Sequence, residues 1–263
     1  MRSLLAAAFL LWVSTLACAS VIRMESRVDT SIHGLMLRAH VTVTNRGDEA
    51  AHAVQLKTEL AGAAQTSPLQ SILPVGNSYA ADFQLSVQRL PPGRYPLILH
   101  ILYADANGYP FSIVTVAPFE LRAAPVPQVL GLLGNAAIHR RGRVTLKLKN
   151  LDAQEKRLRV RLLLPQELSA DSSSLDLTLR PDQETRTAFA IRNFSALAGS
   201  TYPLFAIIEY DLAGLHHTAI ASGLVQIGSG HSFLTQQSVF LAGAIASLIV
   251  LLLLNVRRHR KRP

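Results

Sequence analysis

The chain has 263 residues, of which 49% are hydrophobic and 16% are charged, and its formal net charge is +9. One of its 26 Lys and Arg residues lies at Arg2 and five lie in the last seven positions, which leaves 20 against 17 acidic residues between the ends. The excess positive charge therefore belongs to the termini, and this argues against nucleic-acid binding by the middle of the chain. Cys18 is the only cysteine, so a disulfide framework is excluded.

The N-terminal residues have the pattern of a secretory signal peptide. Arg2 precedes an apolar run over residues 4–16, and Ala17-Cys18-Ala19 resembles a small-residue cleavage site. We expect residues 1–19 to be removed on export, and Cys18 with them. Lipidation at Cys18 is the alternative, although Thr15-Leu16-Ala17 before it is a poor lipidation sequence.

The C-terminal residues have the pattern of a membrane anchor. No charged residue occurs between Ser232 and Val256, and a helix over residues 238–256 would span about 28 Å, close to one bilayer core. Five cations follow and would hold that end of the helix in the cytoplasm: Arg257, Arg258, Arg260, Lys261 and Arg262. The sequence therefore predicts a single-pass cell-membrane protein whose upstream part is periplasmic or extracellular.

Two stretches of the middle segment resemble each other. Tyr95-Pro96-Leu97 and Tyr202-Pro203-Leu204, which lie 107 residues apart, each open an apolar run that leads to a glycine-containing turn. Residues 41–45 and 146–150 match at an offset of 105, and both segments end in Asn. This self-similarity indicates two copies of one module of about 100 residues.

Each copy has the pattern of short β-strands separated by turns. Apolar and polar residues alternate, as around Val41 and Val43, and turn residues recur about every ten positions. Asn107-Gly108 between two apolar runs is the strongest hairpin signal. About seven strands in such a module predict an immunoglobulin-like sandwich. We expect an all-β protein with two tandem immunoglobulin-like β-sandwich domains and one C-terminal transmembrane helix.

The predicted organisation has seven parts. In chain order these are a signal peptide (1–19), a first sandwich (20–122), a linker (123–128), a second sandwich (129–228), a juxtamembrane stalk (229–237), the transmembrane helix (238–256) and a basic cytoplasmic tail (257–263). The linker contains Pro125 and Pro127, which favour an extended and semi-rigid joint.

Four motifs of the second copy occur in a fixed order. A strand ends in Asn150, and Pro165-Gln166-Glu167-Leu168, Arg180-Pro181-Asp182-Gln183 and Gly199-Ser200-Thr201-Tyr202 follow. This arrangement resembles the bacterial NEW3 and CARDB-like immunoglobulin modules, which the first copy matches more loosely. The resemblance implies accessory, scaffolding or adhesive modules and no catalytic residues.

Alternate positions of two consecutive predicted strands in the second copy carry cations. If these strands pair as a hairpin, six side chains line one solvent face: Arg143, Lys147, Lys149, Arg157, Arg159 and Arg161. Such a ladder of like charges favours an anionic partner, either an acidic polysaccharide or anionic lipid headgroups. The alternative is an ordinary solvated strand face that Glu155, Glu167 and neighbouring acids neutralise.

Other polar motifs fit structural roles better than chemical ones. His216 and His217 are adjacent on a predicted strand and would point to opposite faces, so they cannot readily bind one metal ion together. The turn with Asp105 and Asn107 offers too few oxygens for calcium. Arg46-Gly47-Asp48 spells an adhesion tripeptide but lies at a predicted turn. We therefore predict no catalytic residue, no metal and no cofactor.

These patterns favour a non-enzymatic membrane protein that presents its two sandwiches for protein binding or scaffolding, such as an accessory subunit of an envelope complex. The first alternative is a protein that binds surface polysaccharide or anionic lipid through the basic face of the second copy. An enzyme with an unrecognised site is the other alternative, against which stands the lack of any polar cluster with catalytic spacing.

Overall fold

The computed structural model describes residues 21–228, and all regular secondary structure in this range is β-strand. The predicted signal peptide, stalk, transmembrane helix and basic tail lie outside the described residues. Within residues 21–228 no helix is long and apolar enough to cross a membrane. The chain divides into two compact units, the first with residues up to Pro91, Pro96–Ser112 and Ala117–Leu121, the second with Pro92–Tyr95, Ile113–Val116 and the residues from Arg122 onward.

Eight strands lie wholly or mostly in the first unit. They are β1 (Met24–His33), β2 (Met36–Asn45), β3 (Ala51–Leu60), β4 (Ala63–Thr66), β5 (Gln70–Leu73), β6 (Ser78–Ser86), β7 (Gly93–Ala104) and β8 (Pro110–Leu121). One sheet has the order β1-β2-β6. In the other group β3 pairs with β4, β5 and β7, and β8 pairs with β7.

The second unit contains nine further strands. They are β9 (Val129–Leu133), β10 (Ala136–Ile138), β11 (Arg141–Asn150), β12 (Lys156–Leu163), β13 (Leu168–Ala170), β14 (Ser174–Leu179), β15 (Glu184–Asn193), β16 (Thr201–Leu212) and β17 (Leu215–Ile227). One sheet has the order β13-β15-β11-β9. The other group has the order β14-β12-β16-β17, and β10 lies parallel to β17.

The two units repeat one scheme of strand pairing. β2 lies between β1 and β6, and β11 likewise lies between β9 and β15. β3 lies between β5 and β7, and β12 likewise lies between β14 and β16. Asn45 and Asn150, the residues matched at an offset of 105, end the equivalent strands β2 and β11. The strands that the self-similarity relates thus have equivalent pairing partners in the two units.

The strands bury one face and expose the other. In β11 the buried residues Val144, Leu146 and Leu148 alternate with exposed ones, and β12 shows the same alternation over most of its length. Residues from both sheets of the second unit enter one apolar cluster, as Leu146 and Leu204 do. Removal of this apolar surface from water is the main force that holds two sheets face to face. The all-β, sandwich-like fold class is thus confirmed for the described residues.

A buried asparagine fixes the turn after β2. The Asn45 side chain donates to the carbonyls of Glu49 at 2.7 Å and Leu73 at 3.2 Å, and its Oδ1 accepts from the N–H of Gly47 at 3.0 Å. Asn45 is fully buried. Its amide therefore satisfies backbone groups that would otherwise lack hydrogen-bond partners in the interior.

Asn150 has the same role in the second unit. Its side chain donates to the carbonyls of Gln154, Leu179 and Arg180 at 2.7, 3.3 and 3.0 Å. Its Oδ1 accepts from the N–H of Asp152 at 3.1 Å. The same side-chain atoms thus close the same turn in both units.

The Asn107-Gly108 turn joins β7 to β8, as the sequence predicts. Asp105 Oδ1 accepts from the N–H groups of Asn107 at 2.9 Å and Tyr109 at 2.8 Å. Gly108 has a φ of +79°, which glycine adopts without strain. The Asp105 carboxylate therefore caps backbone donors in the turn.

Candidate anionic-partner face

The two cation-bearing strands do not form the predicted hairpin, because β11 pairs with β9 and β15 whereas β12 pairs with β14 and β16. The prediction of one face with six cations is wrong. Arg143, Lys147 and Lys149 lie on one sheet, and Arg157, Arg159 and Arg161 lie on the other. The two strands lie on facing sheets and bury alternate apolar residues in one core between them. Alternation along each strand is the same whether two strands pair or face each other, so the sequence pattern does not distinguish the two arrangements.

Arg159, the central cation of β12, has acidic neighbours. Arg159 Nε lies 3.5 Å from a carboxylate oxygen of Asp176 on β14. Glu209 on β16 lies directly opposite Arg159 in the strand register. At Arg159 the surface therefore matches the neutralised alternative, with Asp176 and Glu209 as the neighbouring acids.

The cations of β11 have further cations beside them. Lys147 lies directly opposite Arg186 of β15, and Arg141 lies directly opposite Arg192. Like charges at directly opposed positions of an antiparallel pair repel each other. Sequence reasoning missed Arg186 and Arg192, because the pairing of β11 with β15 skips three intervening strands. The available signal in the sequence was the alternation along residues 184–192, where Arg186 and Arg192 share one parity and the apolar Phe189 and Ile191 share the other.

Two acidic residues offset part of this charge. Glu184 lies opposite Lys149 in the register, and Asp171 Oδ1 lies 2.6 Å from the Arg192 guanidinium. Four other cations have no carboxylate within 4.0 Å among the residues that the structure describes: Arg141, Arg143, Lys147 and Arg186. The outer surface of this sheet therefore keeps a net positive charge.

A shallow cavity of about 270 Å³ lies at one end of the same surface. Its lining includes Arg141, Arg143, Asp171 and Arg192. Three guanidinium groups around one carboxylate leave an excess of donors. Guanidinium groups bind planar or tetrahedral oxyanions through paired hydrogen bonds. The cavity is thus suited to a small anionic group.

Two exposed leucines border these cations. Leu130 and Leu132 lie on the edge strand β9 and are 57% and 60% exposed. They lie opposite Lys149 and Lys147 in the register. We call the outward-pointing side chains of β9, β11 and β15 the basic–apolar face, defined by Leu130, Leu132, Arg141, Arg143, Lys147, Lys149, Arg186 and Arg192.

His216 lies on β17 and contacts two carboxylates. Its Nδ1 lies 2.8 Å from Asp211 and its Nε2 lies 3.4 Å from Glu209. Burial lowers the pKa of His216, but the two carboxylates outweigh that effect and raise it overall. His216 therefore belongs to a local charge network at the β16–β17 hairpin.

His217 points to the other side of β17, as the alternation of strand residues predicts. It is buried, and its ring stacks on that of Tyr210 with 4.7 Å between the centroids. Burial, together with the charge of Lys156, lowers the pKa of His217. The part of the chain that the structure describes contains no group of three or more His, Cys, Asp or Glu residues placed to hold a metal ion.

Arg46-Gly47-Asp48 forms the connection between β2 and β3. Arg46 Nε lies 3.1 Å from Glu25, and Asp48 Oδ1 accepts from the N–H of Val21 at 2.6 Å. A Cβ at Gly47 would collide with the Val21 carbonyl, so the position requires glycine. Both charged side chains of the tripeptide are thus engaged within the first unit, and the predicted turn is confirmed.

No family model and no curated protein matches this chain. Among solved structures it is similar to red sea bream transglutaminase, with 14% identity, coverage of 77% of this chain and 31% of that one, and a TM-score of 0.28. It is also similar to Escherichia coli alpha-2-macroglobulin activated by porcine elastase, with 12% identity, coverage of 78% and 22%, and a TM-score of 0.32. The chain spans less than a third of either protein. Likenesses this distant carry no argument about function.

Proposed function

We propose that the chain is a non-enzymatic binding or scaffolding protein that presents two tandem immunoglobulin-like domains outside the cytoplasm. In this proposal residues 238–256 cross the cell membrane once, the basic tail stays in the cytoplasm, and the protein serves as an accessory subunit of an envelope complex. The resemblance of the second copy to NEW3 and CARDB-like modules supports this function, because such modules are accessory or adhesive.

The observation that carries the proposal is an apolar edge on the first unit. Leu69, Ile72 and Val75 are 59%, 48% and 48% exposed, and they lie on β5 or beside it. β5 pairs with β3 on one side, and no strand of the described chain pairs with its other side. An unpaired strand edge with exposed apolar side chains is a typical place for a protein partner to bind.

The use of polar groups also supports a binding role. Three polar side chains singled out in the sequence stabilise turns of the fold. Asn45 and Asn150 donate to backbone carbonyls, and Asp105 accepts from backbone N–H groups. In a catalytic site such groups would converge on a cleft instead. Their structural use leaves exposed surfaces as the part of the molecule that can select partners.

Site-specific photo-crosslinking of the full-length chain in its own membranes tests the proposal. A photoreactive amino acid at Ile72 should give one discrete crosslinked protein species, because the side chain would be buried against the partner. The matched control is the same substitution at Gln88, which is exposed on the same unit. Ile72→Glu should abolish co-purification of that species in mild detergent. Absence of a crosslink at residue 72, or an equal yield at residue 88, contradicts the proposal.

A further inference from the structure

We propose that the basic–apolar face is a docking site for the surface of an anionic phospholipid bilayer. This face is on the second unit, whereas the apolar edge at β5 is on the first unit. The inference therefore does not depend on a protein partner, and either proposal can fail while the other stands.

The first argument is charge complementarity. Lys147 and Arg186 are directly opposed cations, and neither has a carboxylate within 4.0 Å among the described residues. An anion that lies over two adjacent cations offsets the repulsion between them and so stabilises the fold. A surface of anionic headgroups supplies many such charges at once, and it attracts clustered Lys and Arg side chains.

The second argument comes from the exposed leucines. Leu130 and Leu132 stand beside Lys149 and Lys147 on the same surface. Apolar side chains next to cations are typical of segments that lie at a membrane interface, where the apolar groups enter the headgroup boundary and the cations contact phosphates. A soluble acidic polysaccharide offers leucine side chains no apolar environment. The leucines therefore favour lipid over a polymer.

The third argument is the absence of stacking groups. The outward-pointing residues of β9, β11 and β15 include no Phe, Tyr or Trp. Proteins that bind single-stranded nucleic acids stack the bases on aromatic rings. The described part of this face therefore lacks the groups that nucleic-acid recognition uses, whereas phosphate headgroups need only cations and N–H donors.

The cavity supplies a place for a single headgroup. Arg141, Arg143 and Arg192 surround it, and the Asp171 carboxylate occupies only one of these guanidinium groups by an ion pair. A lipid phosphate could accept hydrogen bonds from the remaining two. The opposite sheet provides the contrast, since Arg159 of β12 already has acidic neighbours in Asp176 and Glu209.

The test uses the full-length chain reconstituted into vesicles of phosphatidylcholine alone or of phosphatidylcholine with phosphatidylglycerol. Cys18→Ser removes the only native cysteine. Leu132→Cys then carries an environment-sensitive fluorophore on the basic–apolar face, and Arg157→Cys carries it on β12 as the matched control. We expect a blue shift at residue 132 in the anionic vesicles only, reversed by high salt, and no shift at residue 157.

Charge variants in the same labelled background complete the test. The neutral double variant Lys147→Gln with Arg186→Gln should weaken the binding constant for anionic vesicles about fivefold for each cation lost. The charge-reversed double variant Lys147→Glu with Arg186→Glu should weaken it further, because each new carboxylate is repelled by the headgroups. Hydrogen exchange of the β11 and β15 amides verifies that each variant is folded.

Three results would overturn the proposal. The first is an equal signal at residue 132 in both kinds of vesicle. The second is a blue shift that persists in the folded charge variants. The third is a shift that appears when soluble alginate is added to phosphatidylcholine vesicles and does not appear with phosphatidylglycerol, which would assign the face to an acidic polymer.

Discussion

Asn45 and Asn150 show how a single residue type specifies the turn that sends the chain from one sheet to the other. Each is fully buried, and each binds the carbonyl of a residue four positions further along the chain. A side-chain amide can supply two donors and one acceptor to backbone groups that strand pairing leaves unsatisfied. The turn therefore depends on asparagine in particular and not only on a polar residue.

Asn150→Ala should destabilise the second unit by about 3 kcal/mol, because buried carbonyls lose their donors and gain no replacement. Hydrogen exchange of the β11 and β12 amides measures the change in the free energy of opening. Gln154→Ala is the matched control, since it removes an exposed side chain from the same turn and leaves the backbone carbonyl in place. Equal protection in the two variants would contradict this role of Asn150.

Lys156 is a second residue whose burial has a measurable consequence. Its ammonium group is buried and forms an ion pair with Asp152. The hydrogen bond from Lys156 is the largest influence on the Asp152 carboxyl, and it lowers the pKa of that group from 3.8. A depressed pKa in the folded state means that the pair stabilises the protein above the unfolded-state pKa and loses this effect as the pH falls.

Urea unfolding as a function of pH should therefore show a loss of stability in the second unit below about pH 4. In Asp152→Asn the protein should be less stable than the wild type at neutral pH, because the buried ammonium has no counter-ion, and the acid-dependent loss should shrink. Asp29→Asn is a suitable control, since Asp29 pairs with Arg27 on the exposed surface of β1. If both variants follow the same pH dependence, the account of Lys156 is wrong.

At the scale of elements, the opposed cations Lys147 and Arg186 of the β11–β15 pair destabilise the fold, and the proposed docking to anionic lipid gives them a function. Arg186→Glu places a carboxylate opposite Lys147 and should raise the free energy of unfolding by about 0.5 kcal/mol. The same change should weaken docking to anionic vesicles. Urea unfolding and the fluorophore at residue 132 report the two effects separately. If Arg186→Glu lowers the free energy of unfolding as well as docking, the idea that the like-charge pair costs stability is wrong.

Much of each strand could be predicted from the sequence. The alternation in β11 and β12 and the Asn107-Gly108 hairpin are local patterns, and the structure confirms them. Asn45 and Asn150, which the self-similarity relates, both end a strand. The sheet to which a strand belongs is a different kind of property. The alternation of β12 is equally compatible with pairing to β11 or with facing it across a core.

The basic–apolar face lay beyond sequence reasoning for this reason. Lys147 and Arg186 are neighbours through the pairing of β11 with β15, which β12, β13 and β14 separate in the chain, and Leu132 joins them through the pairing of β9 with β11. The predicted site contained three of its cations and three from the opposite sheet. Long-range pairing, which no local pattern encodes, decided which charges add together.

At the scale of the whole molecule, two sandwich-like units are combined with a predicted location outside the cytoplasm. Each unit uses buried polar groups for turns, and the proposed contact surfaces are the β5 edge in the first unit and the basic–apolar face in the second. The proposed function requires both units to lie outside the cytoplasm. This requirement rests on the uncharged run before Arg257 and on the N-terminal pattern, both of which fall outside the described residues.

Cysteine labelling in cells tests that requirement most directly. A cysteine replaces Gln88, Arg157 or His259, one at a time, in the full-length chain, and Gln88 and Arg157 are exposed positions outside the two proposed contact surfaces. The wild type reports the background from Cys18, and a membrane-impermeant maleimide is added before or after the inner membrane is opened. We predict labelling at residues 88 and 157 while the inner membrane is intact, and at residue 259 only after the inner membrane is opened. Labelling at residue 259 with protection of residues 88 and 157 while the inner membrane is intact would contradict this prediction.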